Sequence, residues 1–323
     1  MNASRTWVAV SAVVVGLVAA QAMAVNILTV PVGNPGNDGD TLVMYTDGTS
    51  GYGSVDYTYN IGKYPVTAGQ YTAFLNAVAG VDSYSLYNTN MSSTQWGSGI
   101  ARSGGGTVGN PYTYTVASSH ANRPVNFVSW GDAARFTNWL HNGQPAGAQV
   151  SGTTETGAYT LNGAMTGADL VAVTRNADWK WALASEDEWY KAAHHKTDGT
   201  DEYWLFPTSS DTIDNTMANY SGSVGHTTDV GSYPYPSPYG TYDQGGNVWE
   251  WNEEVQYNWA RGTRGGSFAD NALAAWFRGD GALPTSEFPG QGFRVVQIPE
   301  PTSLALLTLG GIGLFRRRRV LGS

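Results

Sequence analysis

The stretch from Asp243 to Phe268 constrains the fold of this 323-residue chain more than any other part of the sequence. It reads DQGGNVWEWNEEVQYNWARGTRGGSF, so that two tryptophans flank Glu250 and a pair of glycines lies near each end. A glycine lets two backbone segments come close together, whereas a buried tryptophan fills a large volume with one rigid ring. We therefore predict that this stretch forms a rigid, aromatic-lined base of the fold rather than a surface loop.

The same stretch carries oxygen ligands suited to a hard cation. They are the carboxylates of Asp243 and Glu250 and the carbonyl groups of Gly246 and Val248. Calcium prefers an all-oxygen set of this kind, so one interpretation is a calcium site. The other interpretation is a buried Glu250 that pairs with an arginine such as Arg261 or Arg264.

The composition excludes several classes of function. The chain contains no cysteine, which rules out disulfides, thiolate metal sites and a cysteine nucleophile. The formal net charge is −9, and a nucleic-acid partner is not expected because phosphate binding needs clustered lysine and arginine. Charged residues make up only 13%, about half the usual share, while glycine, tryptophan and tyrosine are abundant. This balance favours a loop-rich fold held together by aromatic rings.

Both ends of the chain have the features of sorting signals. Residues 1–24 combine an early arginine, an apolar run and an Ala-Met-Ala site, which indicates a secretory signal peptide removed by signal peptidase; an uncleaved anchor is the alternative. Residues 299–323 combine a Pro-Glu-Pro motif, a short apolar transmembrane stretch and an arginine cluster. This order resembles the bacterial PEP-CTERM sorting signal, which an exosortase-type membrane peptidase recognises; a plain tail anchor is the alternative. The domain of residues 25–298 is therefore expected in the cell envelope or outside the cell, at least transiently anchored by its C-terminal segment.

Several blocks between residues 30 and 296 occur in a recognisable order. They are KYPVTAGQYTAFLNAV at 63–78, RPVNFVSWGDAARFTNWL at 123–140, ALASEDEWYKAAHH at 182–195, GGNVWEW followed by RGGSF in the stretch described above, and GFRVV at 292–296. In sequence and order they resemble the formylglycine-generating enzyme family, also called the sulfatase-modifying factor domain. The resemblance implies an α+β fold that is loop-rich, with little regular secondary structure, and is related to the C-type lectin fold.

The resemblance also implies which positions would bind metals. In the family two cysteines, five residues apart and just after the GGS turn, hold the copper ion of the oxidase; here these positions are Asp270 and Ala275. Soft thiolates select copper(I), and a carboxylate opposite a methyl group does not replace them, so neither copper nor the oxidase reaction is expected. The family's second calcium site carries over to Asp243, Gly246, Val248 and Glu250, and its first site carries over only in part, to Asn219 and Tyr220.

Together these observations predict an exported member of the family that is not an oxidase and serves as a peptide- or glycan-binding or structural module. Its groove would be lined by Trp249, Ser267 and Trp276, because rings offer apolar faces and nearby backbone offers hydrogen bonds. The alternative is an enzyme of the same fold with a different activity, either with a histidine-bound non-haem metal or related to sulfatase maturation. The missing thiols favour the binding module.

Local patterns predict three helices and several short strands. The helices are expected to begin after Thr67, after Ser129 or Asp132, and after Ser185, where Glu188 completes a capping box. The strands are expected at Val55–Tyr64, Ala158–Leu161, Leu170–Val173 and Gly292–Val296. Arg278 and Arg294 are expected to pair with buried acids.

Overall fold

The computed structural model describes residues 24–271, 273–274, 277–279 and 281–299. In these ranges short strands and helices are joined by long loops. The strands are β1 (Thr29–Val32), β2 (Tyr59–Gly62), β3 (Ile100–Ser103), β4 (Thr113–Val116), β5 (Trp181–Leu183), β6 (Trp249–Gln256), β7 (Ala260–Arg264), β8 (Gln291–Phe293) and β9 (Val295–Gln297). The α-helices are α1 (Ala68–Val78), α2 (Trp130–His141), α3 (Gly167–Ala172) and α4 (Glu186–His194). The predicted loop-rich α+β class is confirmed.

The strands form three small sheets. An antiparallel sheet has the order β1-β2-β9-β5, which joins the beginning of the domain to its end. A second sheet has the order β7-β6-β8, with β6 antiparallel to β7 and parallel to β8. The third is the β3–β4 hairpin. The predicted pairing of the Gly292–Val296 segment is confirmed, because β8 and β9 enter two different sheets.

Three helices begin where the sequence predicts. Thr67, Ser129 and Ser185 are the N-cap residues of α1, α2 and α4, and each forms a reciprocal capping box with the residue three positions later. Each box satisfies two backbone N–H groups that the first turn of a helix leaves without a partner. The caps therefore fix the helix starts locally.

Aromatic rings from α1 and α2 pack against the end of β8. The ring of Phe136 lies 5.3 Å from the rings of Phe74 and Phe293 and 5.7 Å from that of Trp139. All of these side chains are buried, as is Tyr71 beside them. This cluster holds both helices against the sheet that contains the GGNVWEW segment.

Two predictions of strands are wrong. Leu170–Val173 is mostly helical, because Thr166 caps α3 through a hydrogen bond from the Asp169 N–H group. Ala158–Leu161 contributes one isolated bridge, from Tyr159 to Arg175, rather than a strand. The predicted strand at Val55–Tyr64 forms only over its second half, as β2.

The two ends of the domain meet at one cavity. A cavity of about 820 Å³ is lined by Ala24 and by Pro299, together with Trp179 and Trp181. Gln144 binds the first residue of the expected mature chain, since its Oε1 accepts from the Val25 N–H at 2.6 Å and its Nε2 donates to the Val25 carbonyl at 2.9 Å. Residues 1–23 and 300–323 lie outside the described ranges, and so does most of both predicted sorting signals. Among the residues that are described, no helix is long and apolar enough to cross a bilayer.

Candidate functional site

The turn that leads into β6 is built from very close backbone contacts. A Cβ atom on Gly246 would lie 2.2 Å from the Asn219 carbonyl oxygen, and one on Gly265 would lie 2.4 Å from the Gln244 carbonyl oxygen. The Gly246 N–H group donates to the Gly265 carbonyl at 2.8 Å, which ties the two glycine pairs together. The structure thus agrees with the prediction of a rigid base, and only glycine fits at these positions.

Glu250 and Arg294 form a fully buried ion pair at the centre of this base. Both side chains are 0% exposed. Arg294 donates from Nε to Glu250 Oε2 at 3.0 Å and from Nη2 to Oε1 at 2.8 Å, and the Trp189 indole donates to Oε2 at 2.6 Å. Arg294 also donates to the carbonyl groups of Gly62 and Tyr242. The pair therefore connects β2, α4, β6 and the β8–β9 junction.

The sequence left two interpretations of Glu250 open: a calcium ligand or the partner of an arginine. In the structure Glu250 pairs with an arginine, but this arginine is Arg294 rather than Arg261 or Arg264. Arg261 donates instead to backbone carbonyls, among them that of Val173, and Arg264 pairs with Glu186. Arg294 and Arg278 both pair with buried acids, as predicted, since Arg278 lies 3.7 Å from Glu186.

Several oxygens of the second family calcium set accept hydrogen bonds in this arrangement. Both oxygens of Glu250 accept hydrogen bonds, Asp243 Oδ2 accepts from the Gly231 N–H at 2.6 Å, and the Gly246 carbonyl accepts from the Val248 N–H at 2.8 Å. Burial raises the pKa of Asp243 to about 6, with a smaller contribution from the negative charge of Glu250. A calcium ion here would have to displace Arg294 from Glu250.

Asn219, a member of the partial first set, lies at a buried cluster of polar groups. Asn219 is buried; its Nδ2 donates to the His226 carbonyl at 2.9 Å and to Asn247 Oδ1 at 3.2 Å. Among the residues that the structure describes, its Oδ1 has no hydrogen-bond partner, and neither does the buried Thr228 Oγ1, whose residue contacts the same Asn247 side chain. An unpartnered buried oxygen is unfavourable unless a ligand or water satisfies it. The Tyr220 carbonyl, the other member of this set, accepts from the Ser223 N–H at 3.1 Å.

Asp270, the expected counterpart of the first copper-binding cysteine, has a carboxylate that bonds to two neighbouring residues. Asp270 Oδ2 accepts from the Trp249 indole at 2.8 Å and from the Ser267 N–H at 3.1 Å, and it also forms a short hydrogen bond with the Ser267 hydroxyl. The ring of Trp249 is half-buried and lies 5.9 Å from that of Phe277. The structure thus brings Trp249, Ser267 and Asp270 together, while Ala275 and Trp276 lie outside the described residues.

The sequence analysis did not identify the residues that are distant along the chain but bond to the residues of the site. Residues of the site are held by Trp189 of α4, by Asn247 and by Arg294. Of these three, only Asn247 lies next to the predicted ligands in the sequence. In the part of the chain that the structure covers, no group of three His, Asp or Glu side chains is placed to hold a metal ion. The described histidines therefore provide no evidence of a shared metal site.

The fold and the site define a class of protein: a loop-rich α+β domain built on a glycine- and tryptophan-rich turn, with a buried Glu250–Arg294 ion pair at its centre. A family model described as the sulfatase-modifying factor enzyme 1-like domain matches residues 28–298, and the chain belongs to this family. A PEP-CTERM protein-sorting motif matches residues 297–319. This motif implies recognition by an exosortase, a sorting protease, and it supports export to the cell envelope.

Solved structures share the fold at low sequence identity. Treponema denticola variable protein 1 is 20% identical with a TM-score of 0.55, covering 86% of this chain and 97% of that one. CarF is 21% identical with a TM-score of 0.57, covering 85% and 99%. PvdO from Pseudomonas aeruginosa is 18% identical with a TM-score of 0.50, covering 84% and 94%. At these identities the likeness concerns the fold alone, and no curated protein sequence gives a significant match.

Proposed function

We propose that this protein is an exported member of the family that is not an oxidase and that binds a peptide or glycan ligand at the cell envelope. The observation that carries the proposal is Asp270, whose carboxylate stands at a copper-ligand position and is engaged by Trp249 and Ser267. Copper(I) is selected by soft thiolates, and the chain has none. Because the Asp270 carboxylate is already bonded to the Trp249 indole and to Ser267, it positions the residues of the groove and does not hold a redox metal.

The groove has the chemistry of a binding surface. Trp249 presents a half-buried ring fixed by its hydrogen bond to Asp270, and a fixed ring loses little conformational entropy when a ligand packs on it. Ser267 is buried, which is unfavourable for a nucleophile that must reach a substrate. A peptide or glycan that packs on the ring and bonds to nearby backbone suits these groups.

The two ends of the domain support a transient membrane anchor. Ala24 and Pro299 line the same cavity, so the predicted signal peptide and the sorting segment leave the domain from one face. A domain held by two segments from one face keeps that face towards the membrane until signal peptidase and the exosortase have acted. We place the mature protein in the cell envelope or outside the cell on this basis.

Calcium is the cofactor we propose, and Asn219 is its strongest ligand among the described residues. Its buried Oδ1 has no hydrogen-bond partner in the described part of the chain, and carboxamide and carbonyl oxygens are ligands that calcium accepts. The Tyr220 carbonyl would be the second ligand. Glu250 contributes only if its pair with Arg294 opens.

Elemental analysis of protein purified without chelator tests the metal content directly. We expect calcium and no stoichiometric copper or iron. At millimolar calcium a site with a Kd of about 10⁻⁴ M stabilises the fold by about 1–2 kcal/mol, so chelation is expected to lower the melting temperature.

The matched variants are Asn219→Ala, which should abolish the response to chelator, and Asn176→Ala, which should keep it. Stoichiometric copper or iron would support the enzymatic alternative. An unchanged melting curve on chelation of the wild type would rule out calcium.

A further inference from the structure

The tip of the β6–β7 hairpin carries two exposed aromatic rings. Tyr257 is 53% and Trp259 is 50% exposed, and their rings are stacked with centroids 6.0 Å apart and planes 22° apart. A hydrogen bond from the Trp259 N–H to the Gln256 carbonyl closes a turn within the three-residue connection between the strands. The rings therefore form a fixed aromatic surface in solvent, which we call the hairpin tip (residues 255–259).

The backbone of the turn is unfavourable for the residue that occupies it. Tyr257 has φ of 54° and Asn258 has φ of 62°. Two consecutive positive φ angles define a type I′ turn, in which glycine, asparagine and aspartate are preferred. Asn258 satisfies this preference, but a tyrosine at the first position costs free energy. The Tyr257 ring is more than half exposed, so it is available to pack against a ligand.

A polar cavity lies beside the hairpin tip along β6. It measures about 370 Å³, and its lining includes Glu253, Glu254, Val255 and Thr174. A strand rises about 3.4 Å per residue, so Glu253 lies roughly 14 Å from Tyr257 at the end of the hairpin. Val255, which is 39% exposed, belongs to both the cavity and the hairpin tip. The two features form one continuous surface.

The carboxylates of this cavity retain hydrogen-bonding capacity. Arg175 and Tyr159 both bond to Glu253 Oε1, and among the described residues nothing bonds to its Oε2. Glu254 is partly exposed, and its nearest cation, Arg278, is 4.0 Å away. Carboxylate oxygens of this kind accept hydrogen bonds from hydroxyl or amino groups.

The arginines of the same cavity are already engaged. Arg175 pairs with Glu188 and Glu253. Arg261 donates to four backbone carbonyls, including that of Glu253, and its guanidinium lies 4.0 Å above the Trp130 ring. The surface therefore offers acceptors and apolar rings but no free positive charge from these two residues.

We propose that the hairpin tip and the adjoining cavity bind a neutral or amino-sugar oligosaccharide. Stacked aromatic rings pack against the apolar faces of sugar rings, and Glu253 and Glu254 accept from their hydroxyl or amino groups. An anionic lipid surface is disfavoured because the surface is acidic and the chain has a net charge of −9. This inference rests on the proposed binding role but assigns the ligand to a site separate from the Trp249 groove.

The test is binding of the full mature protein to an array of neutral, amino-sugar and acidic oligosaccharides, followed by calorimetry with cellohexaose and chitohexaose. We expect Trp259→Ala to weaken binding by about tenfold or more, as for other aromatic residues central to an interface. Trp96→Ala is the matched control, because Trp96 is 48% exposed and lies elsewhere on the surface. It should bind like the wild type.

A second variant separates binding from folding. Tyr257→Asn is expected to weaken binding while leaving the melting temperature unchanged or raised, because asparagine tolerates the positive φ. No binding to any neutral or amino-sugar probe at millimolar concentration would overturn the proposal. Binding lost in Trp249→Ala but kept in Trp259→Ala would overturn it in favour of the groove, and binding to anionic vesicles alone would replace the glycan with a membrane. Neither of the last two results would indicate that the protein is an oxidase.

Discussion

Arg294→Met is expected to destabilise the domain by about 3–5 kcal/mol in urea denaturation, because it leaves the carboxylate of Glu250 buried without its cation. Both side chains are 0% exposed, so water cannot replace the lost partner. The Trp189 indole alone would then bond to Glu250. Arg294 also joins β2 to the β8–β9 junction, and its loss loosens both sheets of the base.

The control for this effect is the double variant Glu250→Gln/Arg294→Met. It removes both charges, so it should be more stable than Arg294→Met alone. Lys196→Met, which breaks the surface pair with Glu202, should cause a much smaller change. A loss below about 1 kcal/mol in Arg294→Met would show that the pair is not the central contact we describe.

Asp243→Asn is expected to be more stable than the wild type at pH 7 and about equally stable at pH 4. The pKa of Asp243 is raised from 3.8 to about 6, chiefly by burial, so the folded state holds its proton more tightly than the unfolded state does. Between these two values the folded chain binds more protons, and the stability falls as the pH rises. Each unit of difference corresponds to about 1.4 kcal/mol, which gives a loss of about 2–3 kcal/mol between pH 4 and pH 6.

The measurement is urea denaturation of both proteins from pH 4 to pH 8 in the presence of chelator, which removes any contribution from calcium. The difference between the two proteins is the informative quantity, since other carboxyl groups titrate in both. It should grow from pH 4 to pH 6 and then stay constant. A constant difference across the whole range would contradict the raised pKa.

Features that depend on neighbours in sequence were predictable. The capping boxes at Thr67, Ser129 and Ser185 involve residues three positions apart, and the glycine pairs that allow the close contacts of Gly246 and Gly265 are visible in the sequence. The ordered blocks that resemble the family gave the fold class. These signals are local or are repeated across a family.

Features that depend on distant partners were not predictable. Spacing identified Glu250 as a buried carboxylate or a calcium ligand, but its partner Arg294 is 44 residues away, at the junction of β8 and β9. The hydrogen bonds of Glu250 and Asp243 were not predictable for the same reason, since they come from residues that the stretch does not contain. Leu170–Val173 was mistaken for a strand because short apolar runs are ambiguous and Thr166 decides the outcome as a helix cap.

The most direct test of the central claim is whether the mature protein, supplied with copper and oxygen, converts the cysteine of a CxPxR-type peptide into an aldehyde. Mass spectrometry of the peptide is the readout, and the same peptide without protein is the control. We expect no conversion above that control, because Asp270 replaces a thiolate and holds Trp249 and Ser267 instead of a metal. Catalytic formation of the aldehyde would contradict the account.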